Sequence, residues 1–244
     1  MARSLFISDL HLSAERPDTS EQFFRFIDEE ARRAGALYIL GDLFEYWVGD
    51  DELTDRAGDP LARQVADALK SLSDDGVKVA FMHGNRDFLV SKAFCKATGA
   101  ALLDDPSVIK TGKDKTLLMH GDTLCTDDLD YQNWRKTARS AEWQRDFLSQ
   151  SLGQRHEAIV GMREKSKEVI AAKPADIMDV NASAVKDAFR KHHVRRLIHG
   201  HTHRPARHDV EVDGARCERW VLPDWYGPGG YLALDDVGAR LVSF

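Results

Sequence analysis

Short apolar runs recur along the chain, and a polar residue follows each of them directly. Their length and composition are typical of buried β-strands, which we predict at residues 4–8, 37–40, 77–82, 115–119 and 194–199. Apolar positions at helical spacing lie between these runs and predict helices at about 20–34, 60–73, 90–97 and 181–192. Strands and helices therefore alternate over most of the chain, which indicates an α/β fold.

Two parts of the chain depart from this alternation. No strand-like run occurs at about 124–175, where the spacing of apolar residues predicts an α-helical insertion between two parts of one core, 1–123 and 176–244. From residue 206 onward the pattern is all strand, and Asp213-Gly214 between two alternating runs predicts a β-hairpin. The core is therefore expected to contain a mixed sheet, or a pair of sheets, with helices outside.

The composition is that of a soluble globular protein, with 43% hydrophobic and 30% charged residues among 244. The formal net charge of −6 leaves no overall basic surface, so nucleic acid is not an expected partner. The three scattered cysteines predict neither a disulfide framework nor a thiolate zinc site, and they suit a reducing cytoplasm. The chain enters a strand at once and has no apolar run of about 20 residues, so we expect neither a signal peptide nor a transmembrane segment.

The polar residues at the predicted strand ends are of the types that bind metal ions. In open α/β sheets, ligands bind where the carboxyl ends of the strands meet, so these side chains are expected to converge. Seven such residues are more ligands than a single metal ion can bind while it keeps a coordination position open for substrate. They suit two metal ions that share a carboxylate. Oxygen and nitrogen donors without cysteine favour Mn²⁺, while Fe²⁺, Co²⁺ and Zn²⁺ stay open. The candidate metal ligands are Asp9, His11, Asp42, Asn85, His120, His199 and His201.

The strand-end motifs resemble, in order, the five blocks of the calcineurin-like metallophosphoesterase superfamily. These motifs are Asp9-x-His11, Gly41-Asp42, Gly84-Asn85-x-Asp87, His120-Gly121-Asp122 and Gly200-His201-Thr202-His203. The resemblance implies a four-layer α/β/β/α sandwich with the helical insertion added to it. It also implies one metal ion on Asp9, His11, Asp42 and His201, and a second on Asp42, Asn85, His120 and His199, with Asp42 bridging both. For His203 a structural role and ligation are equally open, and Asp87 and Asp122 are expected to orient ligands or cap turns.

Arg86 departs from a common pattern of that superfamily, in which many members have a histidine here to help protonate the leaving group. An arginine stays charged and cannot act as a general acid, but it binds phosphate in a bidentate fork. This suits a leaving group that needs no proton, such as a phosphate monoester, whose second pKa is about 6. The sequence therefore favours cleavage of a pyrophosphate over that of an alkyl phosphoester, with Asp42, Asn85 and Arg86 as candidate catalytic residues.

Longer motifs resemble one family in particular, the UDP-2,3-diacylglucosamine diphosphatases of lipid A biosynthesis. They include FISDLHLS, GDLFEYWVGDD, GNRDFL, MHGDTLCTDD and LIHGHTHRP. The resemblance implies two Mn²⁺ ions and water attack on the UMP phosphorus of UDP-2,3-diacylglucosamine, which gives UMP and 2,3-diacylglucosamine 1-phosphate. It further implies that the insertion is a lid over the acyl chains, and that the protein contacts lipid at the cytoplasmic face of the inner membrane as a peripheral protein.

The same resemblance implies substrate contacts at matching positions, namely Asn85, Arg86, Asp128, Ser166, Ile170, Lys173 and His199. Ile170 departs from the best-known members, which have asparagine there, and this puts one substrate hydrogen bond in question. Periodicity alone would assign the insertion to ordinary helix packing. Two further hypotheses stay open: a broader nucleotide pyrophosphatase, which the insertion disfavours, and a non-catalytic scaffold, which the intact ligand positions disfavour. A monomer is favoured over an oligomer.

Overall fold

The computed structural model describes residues 3–111, 113–172 and 177–244, without the side chains of 164, 165 and 167–172. Over these residues the chain forms two β-sheets that pack face to face, with helices on both outer faces. This is the four-layer α/β/β/α arrangement that the sequence predicted, and the prediction is confirmed.

Each sheet combines parallel strands with antiparallel strands at its edges. The first sheet contains β1 (Ser4–Ile7), β2 (Ala36–Ile39), β3 (Lys78–Met82), β4 (Ala101–Leu103), β10 (Gly230–Leu234) and β11 (Ala239–Ser243). The second contains β5 (Ser107–Thr111), β6 (Asp114–Leu118), β7 (Arg196–His199), β8 (Ala206–Val212) and β9 (Ala215–Val221). Their spatial orders are β11-β10-β1-β2-β3-β4 and β5-β6-β7-β9-β8. Strands β1 to β4 run parallel to one another, as do β6, β7 and β9.

Helices cover the outer face of each sheet. The first sheet packs against α1 (Pro17–Glu29), α2 (Pro60–Asp74) and α3 (Lys92–Thr98). Next in the chain come α4 (Leu129–Ala138), α5 (Ala141–Leu148), α6 (Leu152–Ala172) and α7 (Ala182–His192), the last of which packs on the second sheet. Among the described residues, no helix combines the length and the apolar character needed to cross a membrane.

Buried apolar side chains separate the layers and supply the main favourable term in folding. One cluster lies between the first sheet and α1 to α3, and another lies between the second sheet and α7. A third fills the space between the two sheets and includes Phe6, Met82, Leu118, Ile198 and Leu222. Because neighbouring residues of a strand point to opposite faces, Leu197 and Ile198 of β7 belong to different clusters.

Most predicted elements are present, with shifted ends. Helix α1 starts at Pro17, three residues before the predicted start at about residue 20, because proline fits the first helical position and lacks an N–H that needs a cap. The sequence missed β4, since its three residues are too few to show a period. At the predicted hairpin, Asp213 and Gly214 have φ values of 51° and 77°, the left-handed values of a two-residue turn.

The segment predicted as an insertion is helical where the structure describes it. Helices α4, α5 and α6 follow one another from Leu129 to Ala172, and the predicted boundary near residue 175 lies outside the described residues. The division of the chain into a core and a separate insertion stays a prediction.

The cap of α7 gives a testable prediction. The Asn181 side-chain oxygen accepts hydrogen bonds from the backbone N–H groups of Ser183 and Ala184, at 2.9 and 3.2 Å, and its amide donates to Asp127. We expect Asn181→Ala to lower the free energy of unfolding by about 1–2 kcal/mol, measured by urea denaturation. Asn181→Ser, which keeps an accepting oxygen and adds no charge beside Asp127, is the control for the cap. An unchanged urea midpoint in the alanine variant would contradict the stabilising role of this cap.

Candidate metal centre

The candidate site lies where strands from both sheets end. Asp9 and Asp42 follow β1 and β2 of the first sheet, while His120 and His201 follow β6 and β7 of the second. Hydrogen bonds connect the sheets here. The His120 ring Nδ1 is 2.8 Å from the Leu40 carbonyl oxygen, and the backbone N–H of His201 donates to Asp9 Oδ2 at 2.9 Å. The strand ends therefore converge, as the sequence predicted.

Two groups of candidate metal ligands overlap in this site. Asp9, His11 and His203 form the first group, and Asp9, Asp42 and His120 form the second; within each group the potential ligand atoms lie within 4.8 Å of one another. Asp42 Oδ2 is 3.8 Å from His11 Nε2 and 3.9 Å from His120 Nε2. Asp42 thus lies between a histidine of each group, which is the position that a bridging carboxylate requires.

Buried atoms without partners show that these residues fit a metal ion. Asp9 Oδ1 and both ring nitrogens of His11 are buried, and none has a hydrogen-bond partner among the described residues. Buried polar atoms in proteins are nearly always paired, so such atoms need an explanation, of which an ion is one. The other oxygen of Asp9 is satisfied, because Ser8 Oγ donates to it at 2.6 Å. The carboxylate is therefore fixed with one oxygen free to face the cluster.

The charges in the site favour a bound cation. Burial alone would lower the pKa of His120, but the carboxylates of Asp42, Asp122 and Asp9 outweigh it and raise this pKa to about 9. Surroundings that favour a proton on His120 also favour a metal cation beside it. For Asp9, burial opposes ionisation, while the nearby rings of His203, His120 and His11 keep its pKa below the usual range.

Asn85 contacts two histidines that follow strands β6 and β7 of the second sheet. Its side-chain oxygen is 3.0 Å from His120 Nε2 and 2.9 Å from His201 Nδ1. Burial and the charge of His120 lower the pKa of His201 to about 4, so His201 is neutral at physiological pH, as a metal ligand must be. The structure therefore brings together Asn85, His120 and His201, all of which the sequence proposed as ligands.

The backbone of the site is strained. Among the described residues, seven that are not glycine have positive φ, and five of them belong to the strand-end motifs: Asp9, His11, Asp42, His201 and His203. Such conformations cost free energy and concentrate at functional sites. The packing is also tight, since a Cβ atom on Gly84 would lie 2.1 Å from Asp42 Oδ1.

Asp87 supports the site and does not enter either ligand group. Its carboxylate accepts hydrogen bonds from the backbone N–H groups of Asp42, Leu43 and Gly84, at 3.2, 2.8 and 2.8 Å. Burial and the nearby charge of Asp42 raise the pKa of Asp87 to about 6. Asp87 therefore fixes the loop that carries Asp42, which agrees with the orienting role expected from the sequence.

Asp122 connects the site to α4. It accepts hydrogen bonds from the Tyr131 hydroxyl at 2.6 Å and from Arg135 Nε at 2.7 Å. Burial opposes its ionisation, but the charges of His120, His201 and Arg135 hold its pKa below the usual range. A third contact runs from Arg139 to the Gly84 carbonyl oxygen, at 2.7 Å. Helix α4 is thereby anchored on the loops that carry the candidate ligands.

His199 and His203 have different surroundings. His199 is the last residue of β7 and is fully buried, and its Nδ1 lies 2.8 Å from the place that a Cβ atom on Gly121 would occupy. Its Nδ1 is 2.9 Å from the Gly200 carbonyl oxygen and its Nε2 is 3.1 Å from Arg219, so both ring nitrogens have partners. His203 instead lies with its Nε2 3.4 Å from Asp9 Oδ1. In the sequence, His203 is the second histidine of the motif Gly200-His201-Thr202-His203, which follows β7.

The other predicted substrate contacts have varied surroundings. The N–H of the half-buried Arg86 donates to Asp42 Oδ1 at 2.8 Å, and its Nε is buried without a partner among the described residues. Asp128 caps α4 by accepting from the Tyr131 N–H at 3.1 Å. Ser166 is half-buried on α6. The side chain of Ile170 and the whole of Lys173 lie outside the described residues.

Aromatic side chains lie beside the anchored helices. The Trp143 ring stacks on Phe147, with ring centroids 4.8 Å apart, and contacts the rings of Phe88 and Trp134 at 5.9 and 5.7 Å. Trp134 is 43% exposed and Leu129 is 68% exposed. An apolar surface therefore adjoins the candidate site on the side of α4 and α5.

Comparison with known proteins gives close and nearly full-length matches. The family model described as calcineurin-like phosphoesterase matches residues 2–205. A protein of Aromatoleum aromaticum named UDP-2,3-diacylglucosamine hydrolase is 49% identical over 235 residues, which cover 96% of this chain and 94% of that protein. Proteins with the same name from Pseudomonas aeruginosa and Chromohalobacter salexigens are 47% and 46% identical, with at least 97% of each chain covered.

These matches agree with the site geometry, because a phosphoesterase of this kind requires candidate metal ligands at the strand ends. They confirm the resemblance seen in the sequence and identify the chain as a hydrolase. The chain belongs to the calcineurin-like phosphoesterase family and, within it, to the family of the UDP-2,3-diacylglucosamine hydrolases.

Proposed function

We propose that the protein hydrolyses the pyrophosphate bond of UDP-2,3-diacylglucosamine and releases UMP and 2,3-diacylglucosamine 1-phosphate, in lipid A biosynthesis. The observation that carries the proposal is the cluster around Asp9, His11 and Asp42, with its buried atoms that lack partners. The substrate is proposed from the name that nearly full-length relatives carry.

The proposed centre holds two Mn²⁺ ions. The proposed ligand sets are those that the resemblance implied: Asp9, His11, Asp42 and His201 for one ion, and Asp42, Asn85, His120 and His199 for the other. The distances among Asp9, His11, Asp42, Asn85, His120 and His201 support them. His203 is an additional candidate donor, because its Nε2 lies 3.4 Å from Asp9 Oδ1. When bound, two divalent cations would neutralise charge on the pyrophosphate oxygens and lower the pKa of a water molecule.

The side chains of this protein position the substrate. The Arg86 guanidinium, whose Nε is buried and has no partner among the described residues, is proposed to bind the pyrophosphate and stabilise its developing charge. It gives up no proton, and the departing sugar 1-phosphate needs none, because the second pKa of a phosphate monoester is about 6. Asn85 holds the rings of His120 and His201 in place and lies next to Arg86 in the chain. Water would attack the phosphorus of the UMP half.

The segment of α4 to α6 is proposed as a lid that covers the acyl chains. The anchoring of α4 on Asp122 and the exposed Trp134 and Leu129 support this role. Its excess of Lys and Arg over Asp and Glu suits contact with anionic lipid, so we propose a peripheral position at the cytoplasmic face of the inner membrane. Asp128, Ser166, Ile170 and Lys173 remain proposed substrate contacts of this segment, and for Asp128 the cap of α4 is an additional role.

Turnover of the lipid nucleotide tests the reaction directly. With Mn²⁺ in ¹⁸O-labelled water, we expect cleavage of UDP-2,3-diacylglucosamine with the label in UMP, detected by mass spectrometry, and loss of activity with a chelator. UDP-N-acetylglucosamine, which lacks the acyl chains, should be cleaved far more slowly. Label in the sugar phosphate would contradict the attacked phosphorus, and equal turnover of both substrates would favour the broader nucleotide pyrophosphatase.

Two histidine variants test the ligand set. We expect His203→Ala to lower the affinity for Mn²⁺ at least tenfold, because it removes a donor beside Asp9. His199→Ala should lower the Mn²⁺ content below two ions per chain, because it removes a proposed ligand of the second ion. Metal analysis after dialysis measures both. A content that stays near two ions per chain in His199→Ala would exclude His199 from the ligand set.

Arg86 is tested by a neutral side chain of similar length. We expect Arg86→Met to reduce kcat/KM by about 100-fold, or about 3 kcal/mol of transition-state stabilisation, with the Mn²⁺ content unchanged. Arg145→Met is the matched control, because Arg145 is 73% exposed on α5. Equal activity of the two variants would exclude Arg86 from the reaction.

A further inference from the structure

Glu45 is a buried carboxylate beside the candidate ligands that the proposed mechanism leaves without a role. Its side chain is 7% exposed. One of its oxygens, Oε2, is 3.3 Å from His11 Nδ1 and accepts from the Tyr226 hydroxyl at 3.3 Å, while Oε1 forms an ion pair with Arg163 of α6. One carboxylate therefore contacts both a candidate metal ligand and the segment proposed as the lid.

The two nitrogens of the His11 ring face different partners. Nε2 points to Asp42, whose Oδ2 is 3.8 Å away, and Nδ1 points to Glu45. Nδ1 and Glu45 Oε2 lie within hydrogen-bonding distance of each other, although the orientation of the ring does not complete a hydrogen bond. A carboxylate in this position fixes the tautomer of the ring and leaves the Nε2 lone pair for a cation.

The contact with Arg163 is part of a continuous helical stripe. Arg155, Ile159 and Arg163 are spaced by four residues, so they lie on one side of α6. Arg155 is 2% exposed, donates to the Val48 carbonyl oxygen and pairs with Asp51. Two arginines, two turns apart, therefore bind α6 to the loop that begins just after Asp42.

We propose that Glu45 is a positioning residue that couples the docking of α6 to the metal affinity of the site. Arg163 holds Glu45 against His11, and Glu45 holds the His11 ring in the orientation that a cation requires. The inference rests on the proposed metal centre. Because such coupling is reciprocal, a metal ion that needs the His11 orientation also stabilises the docked position of α6.

Mn²⁺ binding to four forms of the protein tests the coupling: the unaltered protein, Glu45→Gln, Arg163→Met and the double variant. By titration calorimetry, Glu45→Gln should weaken Mn²⁺ binding about tenfold or more. Arg163→Met should weaken it about fivefold and add no further loss in the Glu45→Gln background. Arg163→Lys, which keeps the positive charge, should restore most of the affinity.

Matched controls separate coupling from a simple structural contact. Glu157 is exposed on the same helix and Arg145 on α5, so Glu157→Gln and Arg145→Met should leave Mn²⁺ affinity unchanged. Thermal melting without metal identifies any variant that has lost its fold. If Glu45→Gln or Arg163→Met lowers the melting temperature but binds Mn²⁺ as tightly as the unaltered protein, the coupling is overturned.

Hydrogen exchange of the α6 backbone amides measures the reciprocal effect, that of Mn²⁺ binding on the docking of α6. Mn²⁺ should slow exchange in α6 of the unaltered protein and have no such effect in Glu45→Gln. Equal slowing in both would overturn this inference alone and leave the proposed function standing. Absence of Mn²⁺ binding to the unaltered protein would instead overturn the metal centre, and this inference with it.

Discussion

The contact between the His120 ring and the Leu40 carbonyl oxygen, at 2.8 Å, is the constraint on which the candidate site depends. Leu40 leads out of a strand of the first sheet and His120 out of a strand of the second, so this hydrogen bond sets the distance between two rows of strand ends together with the contacts of His201 to Asp9 and Asn85. Apolar packing between the sheets brings them together but does not fix the relative position of individual strand ends, because hydrophobic contact is not directional. The hydrogen bond of the His120 ring is directional, and it uses Nδ1, so that Nε2 faces Asn85 and the candidate ligands.

The site gathers acidic groups that would be costly to bury alone. Asp9, Asp42, Glu45, Asp87 and Asp122 are all buried within a few residues of strand ends. Backbone N–H groups compensate Asp87, while Tyr131 and Arg135 compensate Asp122. Among these acidic residues and the described candidate ligands, buried atoms without a hydrogen-bond partner remain on Asp9, His11 and Asp122, and the proposed cations would bind at the first two.

Much of this arrangement could be predicted from the sequence, because each strand is short, buried and followed directly by its functional residue. The strand pattern alone was enough to predict that Asp9, Asp42 and His120 lie at a common edge of the sheets. His199 and His203 could not be distinguished in that way, since the face on which β7 directs His199 depends on the register of β7 against β6 and β9. Glu45 could not be predicted for a different reason: it lies in an acidic loop, and its contacts with His11, Tyr226 and Arg163 all come from distant parts of the chain.

The left-handed backbone at Asp9, His11, Asp42, His201 and His203 has a consequence for the balance between stability and activity. Glycine adopts such a conformation without steric cost, whereas an aspartate or a histidine does not. A chain that lost these side chains to glycine would relax its backbone at the same positions where it lost its chemistry. Selection for a stable fold and selection for a working site therefore oppose each other at these five residues, and a more robust relative without activity is only a few substitutions away.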